Sequence, residues 1–163
     1  LAALRVSLST PHPEFHGTFY DYSGVEVRPH AVQQRVPFWI GGRTPRSLRR
    51  AVTLGDGWLP FALTTAQIRE MLSRVDLPDG FEVVLDAGRP LDPLGDRDAT
   101  LRALDRRRDA GATTVSASFT ATDVDHYCDQ LAALREYGPD AGVTFESSRP
   151  SPTSDFDESS RKA

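Results

Sequence analysis

Four short apolar runs, beginning near residues 37, 57, 81 and 113, are each followed by a helical pattern with one apolar face. This alternation constrains the fold more than any other feature of the chain. Strands regularly separated by amphipathic helices predict a parallel sheet, because a crossover helix is what allows successive strands to run the same way. The reading along the chain is specific. Pro37 to Ile40 reads as a buried strand. Thr44 then caps a helix with Pro45 at its first position, where the missing N–H costs nothing. Leu48, Ala51 and Val52 form the inward stripe, Arg46, Arg49, Arg50 and Thr53 face out, and Gly55 stops the helix. Trp58 to Phe61 is the second strand.

The unit then repeats. Thr65 caps a helix with Ile68, Met71, Leu72 and Val75 on one face, and Phe81 to Leu85 is a strand too apolar to face water. A loop rich in Gly, Pro and Asp (Gly88 to Asp98) leads to a helix with Leu101 and Leu104 inward, closed by Gly111. Thr113 to Phe119 is the last strand, and Thr122 caps a helix with the stripe Val124, Tyr127, Cys128, Leu131 and Leu134. Four such units are half of a (β/α)8 TIM barrel of about 250 residues. The fold expected is therefore α/β: the C-terminal half of such a barrel over residues 1–146, with parallel strands alternating with helices. Leu1, Leu4 and Leu8 read as the end of a helix, so the chain is expected to be a fragment. Upstream of the first strand, Phe15, Phe19, Tyr20 and Tyr22 among glycines predict a β-excursion or ordered loop. Residues 147–163, SSRPSPTSDFDESSRKA, lack a hydrophobic stripe and are expected to be a disordered tail.

Composition narrows the function classes. The formal net charge is −4, and of the 19 basic residues only Lys162 is a lysine. Such a bias suggests a GC-rich genome, and the arginines are scattered among acids rather than gathered on a nucleic-acid footprint. Arg106, Arg107 and Arg108, flanked by Asp105 and Asp109, read as a solvated helix face. No run reaches the roughly 18 apolar residues of a membrane span, and the first residues lack the basic start and apolar core of a signal peptide. Neither a membrane nor a nucleic-acid partner is expected. Cys128, the single cysteine, reads as a buried inert thiol, consistent with a cytoplasmic location.

Candidate chemistry concentrates in one place. Gly41 and Gly42 end a strand just before a capped helix, where unhindered N–H groups and the helix dipole favour an anion. The pair is either a phosphate cradle or simply a tight βα turn, and it matches neither the dinucleotide fingerprint nor the P-loop. Arg43 is either a bidentate phosphate partner or a solvated loop cation. Trp58 reads as packing, and Asp56 as a brace for the turn. His12, His16, His30 and His126 have no ligand spacing, so no metal site is expected. No acid, base or nucleophile stands out, and catalytic residues stay unassigned, a pattern that suits a cofactor enzyme.

The order EFHGTFYDYSGVEVRPHAVQQRVPFWIGGRTPRSLRRAVTLGDGWLPF, residues 14 to 61, resembles the C-terminal half of bacterial luciferase-like monooxygenases. It resembles especially the actinobacterial branch that uses the deazaflavin coenzyme F-420. The resemblance rests on Phe15, Gly17, Phe19 and Tyr20, on the P-x-W-I-G-G strand and on the G-D-G-W strand; it thins toward residue 137. It implies a TIM-barrel oxidoreductase that transfers hydride between coenzyme F-420 and a small organic substrate, with an FMN-dependent monooxygenase as the alternative. A non-catalytic flavin-binding remnant is the alternative from another class. The resemblance also implies that Gly41, Gly42, Arg43 and Thr44 contact the cofactor phosphate, that the ring-facing residues lie outside this chain, and that the full-length protein is a homodimer.

Overall fold

The computed structural model describes residues 1–33 and 35–144; the tail expected from residue 147 lies outside them. Helix α1 (Ala2–Ser9) leads into a small antiparallel hairpin of β1 (Phe15–His16) and β2 (Asp21–Tyr22), in which Phe15 pairs with Tyr22. The aromatic excursion of the sequence is thus a hairpin. Then follow β3 (Trp39–Gly41), α2 (Pro45–Leu54), β4 (Gly57–Leu59), α3 (Thr65–Leu72), β5 (Glu82–Asp86), α4 (Arg97–Asp109), β6 (Thr114–Ser116), α5 (Val124–Tyr137) and a 3-10 turn (Gly138–Ala141).

The four later strands form one sheet in the order β3-β4-β5-β6, parallel throughout. A parallel bridge between Leu91 and Phe119 prolongs the last pairing beyond the strands proper. The sheet is open among the described residues, with β3 and β6 as its edges. Its helix-side face is the core: Ile40, Trp58, Val83 and Leu85 pack with Leu48 and Ala51 of α2 and Ile68 of α3. A second cluster joins Leu91, Ala103, Leu104 and Leu134 under α4 and α5. Side chains alternate along a strand, so Glu82, Val84 and Asp86 of β5 lie on the opposite face from Val83 and Leu85.

Several local expectations shift. The cap of α3 is Thr64, not Thr65: its hydroxyl accepts the Gln67 N–H, and the Gln67 side chain accepts the Thr64 N–H in return. The glutamine three residues on makes Thr64 the partner of a capping box. Likewise Asp123, not Thr122, caps α5 by accepting the His126 N–H at 2.8 Å, while Thr122 donates its hydroxyl to the Asp123 carboxylate. A carboxylate beside a helix N-terminus also gains from the dipole.

The stripe expected on α5 is wrong in a more instructive way. Val124, Tyr127 and Leu131 are exposed, as is Cys128; of the expected stripe Leu134 is buried, and beside it the helix buries Gln130. Gln130 is fully enclosed and bonds to two segments, the loop after β5 and the stretch after β6. Its Oε1 accepts the Leu94 N–H at 2.9 Å, and its Nε2 donates to Asp92 Oδ1 at 2.8 Å and to the Thr120 carbonyl at 2.9 Å. A polar residue thus occupies the inward face and the apolar pattern points elsewhere. The thiol of Cys128 is therefore expected to react with a thiol-specific disulfide reagent in the native protein, at the rate of an open thiol and without denaturant. Reaction only on unfolding would place it back in a core.

The three successive arginines are not merely solvated either. Arg107 Nε donates to the Asp86 carbonyl, and Arg108 donates to the Ala141 carbonyl and pairs with Asp105.

Candidate functional site

In open parallel sheets and barrels, ligands gather beyond the carboxyl ends of the strands. Here that rim begins with the β3–α2 turn. Gly41 ends β3 and is exposed; Gly42 follows with φ +150° and donates to the Leu59 carbonyl at 3.4 Å. Thr44 caps α2, with its hydroxyl accepting the Ser47 N–H at 3.2 Å while the Thr44 N–H donates to Ser47 Oγ at 3.1 Å. The turn predicted by Thr44 and Pro45 is therefore present, closed by a capping box that the sequence reading did not include.

The two glycines turn out to have different duties. A Cβ on Gly42 would stand 2.3 Å from Ser47 Cβ and 2.4 Å from Ser47 Oγ, so the capping serine occupies that space. A Cβ on Gly41 would meet only the Leu59 carbonyl oxygen, at an ordinary 3.7 Å. The fold demands glycine at 42 and leaves room at 41. A side chain at Gly42 would therefore strike the cap before it reached any ligand.

Two donors of the helix start are consumed by the box, and Pro45 has none. The N–H groups of Arg43 and Arg46 have no protein acceptor among the described residues. The Thr44 hydroxyl accepts one bond and keeps its own proton to give. Arg43 is exposed and has no carboxylate partner among the described residues. This donor set, two N–H groups, a hydroxyl and a guanidinium at a helix N-terminus, fits the oxygens of a phosphate.

Other rim residues escaped the sequence reading. Leu59 and Phe61 are exposed at the end of β4, and Ala62 takes φ +53°, a left-handed conformation uncommon outside glycine. Asp86 ends β5 on the face away from the helices and accepts the Gly88 N–H at 2.6 Å. Two strand spacings separate β3 from β5, roughly 10 Å. The signal was available in the alternation of β5: with Val83 and Leu85 in the core, Asp86 had to project from the other face. A cavity of about 510 Å³ lies beside this rim, lined by Phe61, Ala62, Thr64 and Leu85 among others. A larger one, about 680 Å³, is lined by the loop after β5 and by α4 and includes no residue of the glycine turn.

Asp56 secures the amino end of the same strands. Its Oδ2 accepts from Arg5 at 2.6 Å and from the Phe38 N–H at 2.8 Å, and its Oδ1 accepts two bonds from Arg35. Burial pushes this carboxyl up, but the bonds from Phe38, Arg5 and Arg35 outweigh it and hold the pKa at about 2. Trp58 is fully buried among the core side chains, as packing rather than a platform, with its Nε1 unpartnered.

The class defined by these features is an α/β protein with parallel strands alternating with helices, with a glycine turn and a capped helix at the carboxyl end of β3. Residues 1–77 match the family model of the luciferase-like monooxygenases. The match runs from α1 past α3, contains the whole β3–α2 turn, and supports a relationship to that family. No curated protein matches the chain. Among the described residues, no helix is long and apolar enough to cross a membrane.

Proposed function

We propose that this chain belongs to an oxidoreductase that holds coenzyme F-420 by its phosphate at Gly41, Gly42, Arg43 and Thr44 and transfers hydride between that coenzyme and a small organic substrate. The observation that carries the reading is the set of unspent donors at the β3–α2 turn, within the stretch that matches the luciferase-like family. In this reading residues 1–146 form the C-terminal half of a (β/α)8 barrel, the edges β3 and β6 meet strands supplied from elsewhere in the full-length protein, and that protein is a cytoplasmic homodimer.

The turn binds and orients; it contains no group that moves a proton. Arg43 meets the phosphate charge through its guanidinium, the Arg43 and Arg46 N–H groups and the Thr44 hydroxyl fix its oxygens, and Gly41 leaves the approach open. Asp86 puts a carboxylate on the same rim, at the end of β5. The deazaflavin, when bound, supplies a carbon that gives or takes hydride. FMN is the alternative occupant, since the same donors suit its phosphate; the preference for coenzyme F-420 rests on the resemblance and on the arginine-rich composition.

Fluorescence titration of the full-length protein with each cofactor tests the reading. Coenzyme F-420 is expected to bind more tightly than FMN. Arg43→Ala removes one charge-assisted contact, about 1.5–3 kcal/mol, and is expected to weaken binding roughly tenfold to a hundredfold. Binding of FMN alone would reverse the cofactor choice. An Arg43→Ala protein that binds as wild type does would remove Arg43 from the site.

A further inference from the structure

The larger cavity, about 680 Å³, has a chemistry of its own. Arg89 on the loop after β5 and Arg102, Arg106 and Arg107 of α4 all line it, the first three with exposed side chains. None of Arg89, Arg102 and Arg106 has a carboxylate partner among the described residues. Arg102 and Arg106 stand four residues apart on one helix face, a spacing at which like charges repel. Arg106 and Arg107 belong to the last turn, where cations favour the helix dipole; Arg102 lies a turn earlier and has no such reason to be there.

Two carboxylates line the same cleft, and both are already engaged. Asp92 accepts from Gln130 and from the Gly95 N–H, and Asp96 accepts the Ala99 N–H as the cap of α4. Arg107 is engaged as well, through the Asp86 carbonyl. What remains is three guanidiniums with unused donors around a cleft whose floor, at Leu91, Ala99 and Ala103, is apolar. Gln130 and the Leu91–Phe119 bridge pin the loop that forms one wall, so the cleft is preformed.

We propose that this cleft is a second anion site, separate from the β3–α2 turn, that takes a phosphorylated small molecule. The phosphate is held by Arg89, Arg102 and Arg106, which match its oxygens in bidentate pairs, and the organic part rests on Leu91 and Ala99. A phosphate ester suits the cleft better than a bare ion, because the apolar side chains beside the arginines give its organic part a surface.

The test uses calorimetry on the full-length protein with phenyl phosphate, inorganic phosphate and phenol as probes, and hydrogen exchange to locate the effect. Phenyl phosphate is expected to bind more tightly than inorganic phosphate, phenol not at all, with new protection confined to residues 87–107. The double variant R102E/R106E is expected to lose at least tenfold in affinity, whereas R49E/R50E, the same charge change on the exposed face of α2, stays within twofold of wild type. Equal losses in both would mean general charge attraction and would overturn the proposal. So would protection at residues 41–47 alone, or wild-type binding by R102E/R106E. Should that variant not fold, Arg89→Ala on the loop replaces it, with the same expected direction.

Discussion

Replacing Asp56 by Ala is expected to lower the unfolding free energy at neutral pH by about 2–3 kcal/mol, the equivalent of holding a carboxyl from its ordinary 3.8 down to about 2. The side chain is only 20% exposed and Arg5 only 22%, so the loss is not screened away as it would be for a surface pair. Removal also leaves the Phe38 N–H without its acceptor and the Arg5 guanidinium, which stacks 4.5 Å from the Phe38 ring, without its counter-charge. The sign of the pH dependence follows from a native pKa below the unfolded one. The stabilisation is complete above about pH 5 and is lost as pH falls through 3.8 toward 2. Wild type and Asp56→Ala should therefore differ most near neutrality and converge in acid. Denaturant titrations at pH 7, 4 and 2.5 read this directly, and a constant difference across the three would show that Asp56 works by shape rather than by charge.

That brace was legible in the sequence as a position but not as a network. Gly55-Asp56-Gly57 between two apolar runs announces a turn, and an acid there has backbone donors within reach. Nothing in the local pattern says that Arg5, fifty-one residues earlier, completes it. The same division holds elsewhere. Thr44 and Pro45 mark the start of α2 because capping is a local matter of a few residues. The strands and their parallel order could be read because each apolar run is followed by an amphipathic helix, the crossover that lets successive strands run the same way. The inward face of α5 could not, since the residue that docks it is Gln130, whose partners at Asp92, Leu94 and Thr120 are brought together by tertiary structure alone. An apolar-periodicity argument assigns such a helix to its second-best face. Asp86 was hidden for a related reason: a strand end reads as part of the following loop until the core side of β5 is known.

The glycine turn gives the second prediction, and the structure changes which substitution tests it. Gly42→Val would place a branched side chain on top of Ser47, 2.3 Å from its Cβ, at a φ of +150° that L residues rarely adopt. The cap would have to open. Overpacking and backbone strain of this kind cost several kcal/mol, on the order of 2–5, and any loss of cofactor binding would follow from a displaced helix start. Gly41→Val separates the two effects. Its Cβ has room, and the position ends a strand, where a β-branched residue is at home. Stability should stay within about 1 kcal/mol of wild type. Gly41 lies on the face away from Ile40 and the core and opens into the β3–α2 turn, so in the proposed reading the new methyl groups occupy the approach that a phosphate needs. Binding of coenzyme F-420 is expected to fall tenfold to a hundredfold, as for the loss of one charge-assisted contact of about 1.5–3 kcal/mol. Thermal unfolding and fluorescence titration of both variants decide the matter. A stable Gly41→Val protein that binds cofactor as wild type does leaves the glycines as a turn built around Ser47, and the phosphate must then be sought at another strand end.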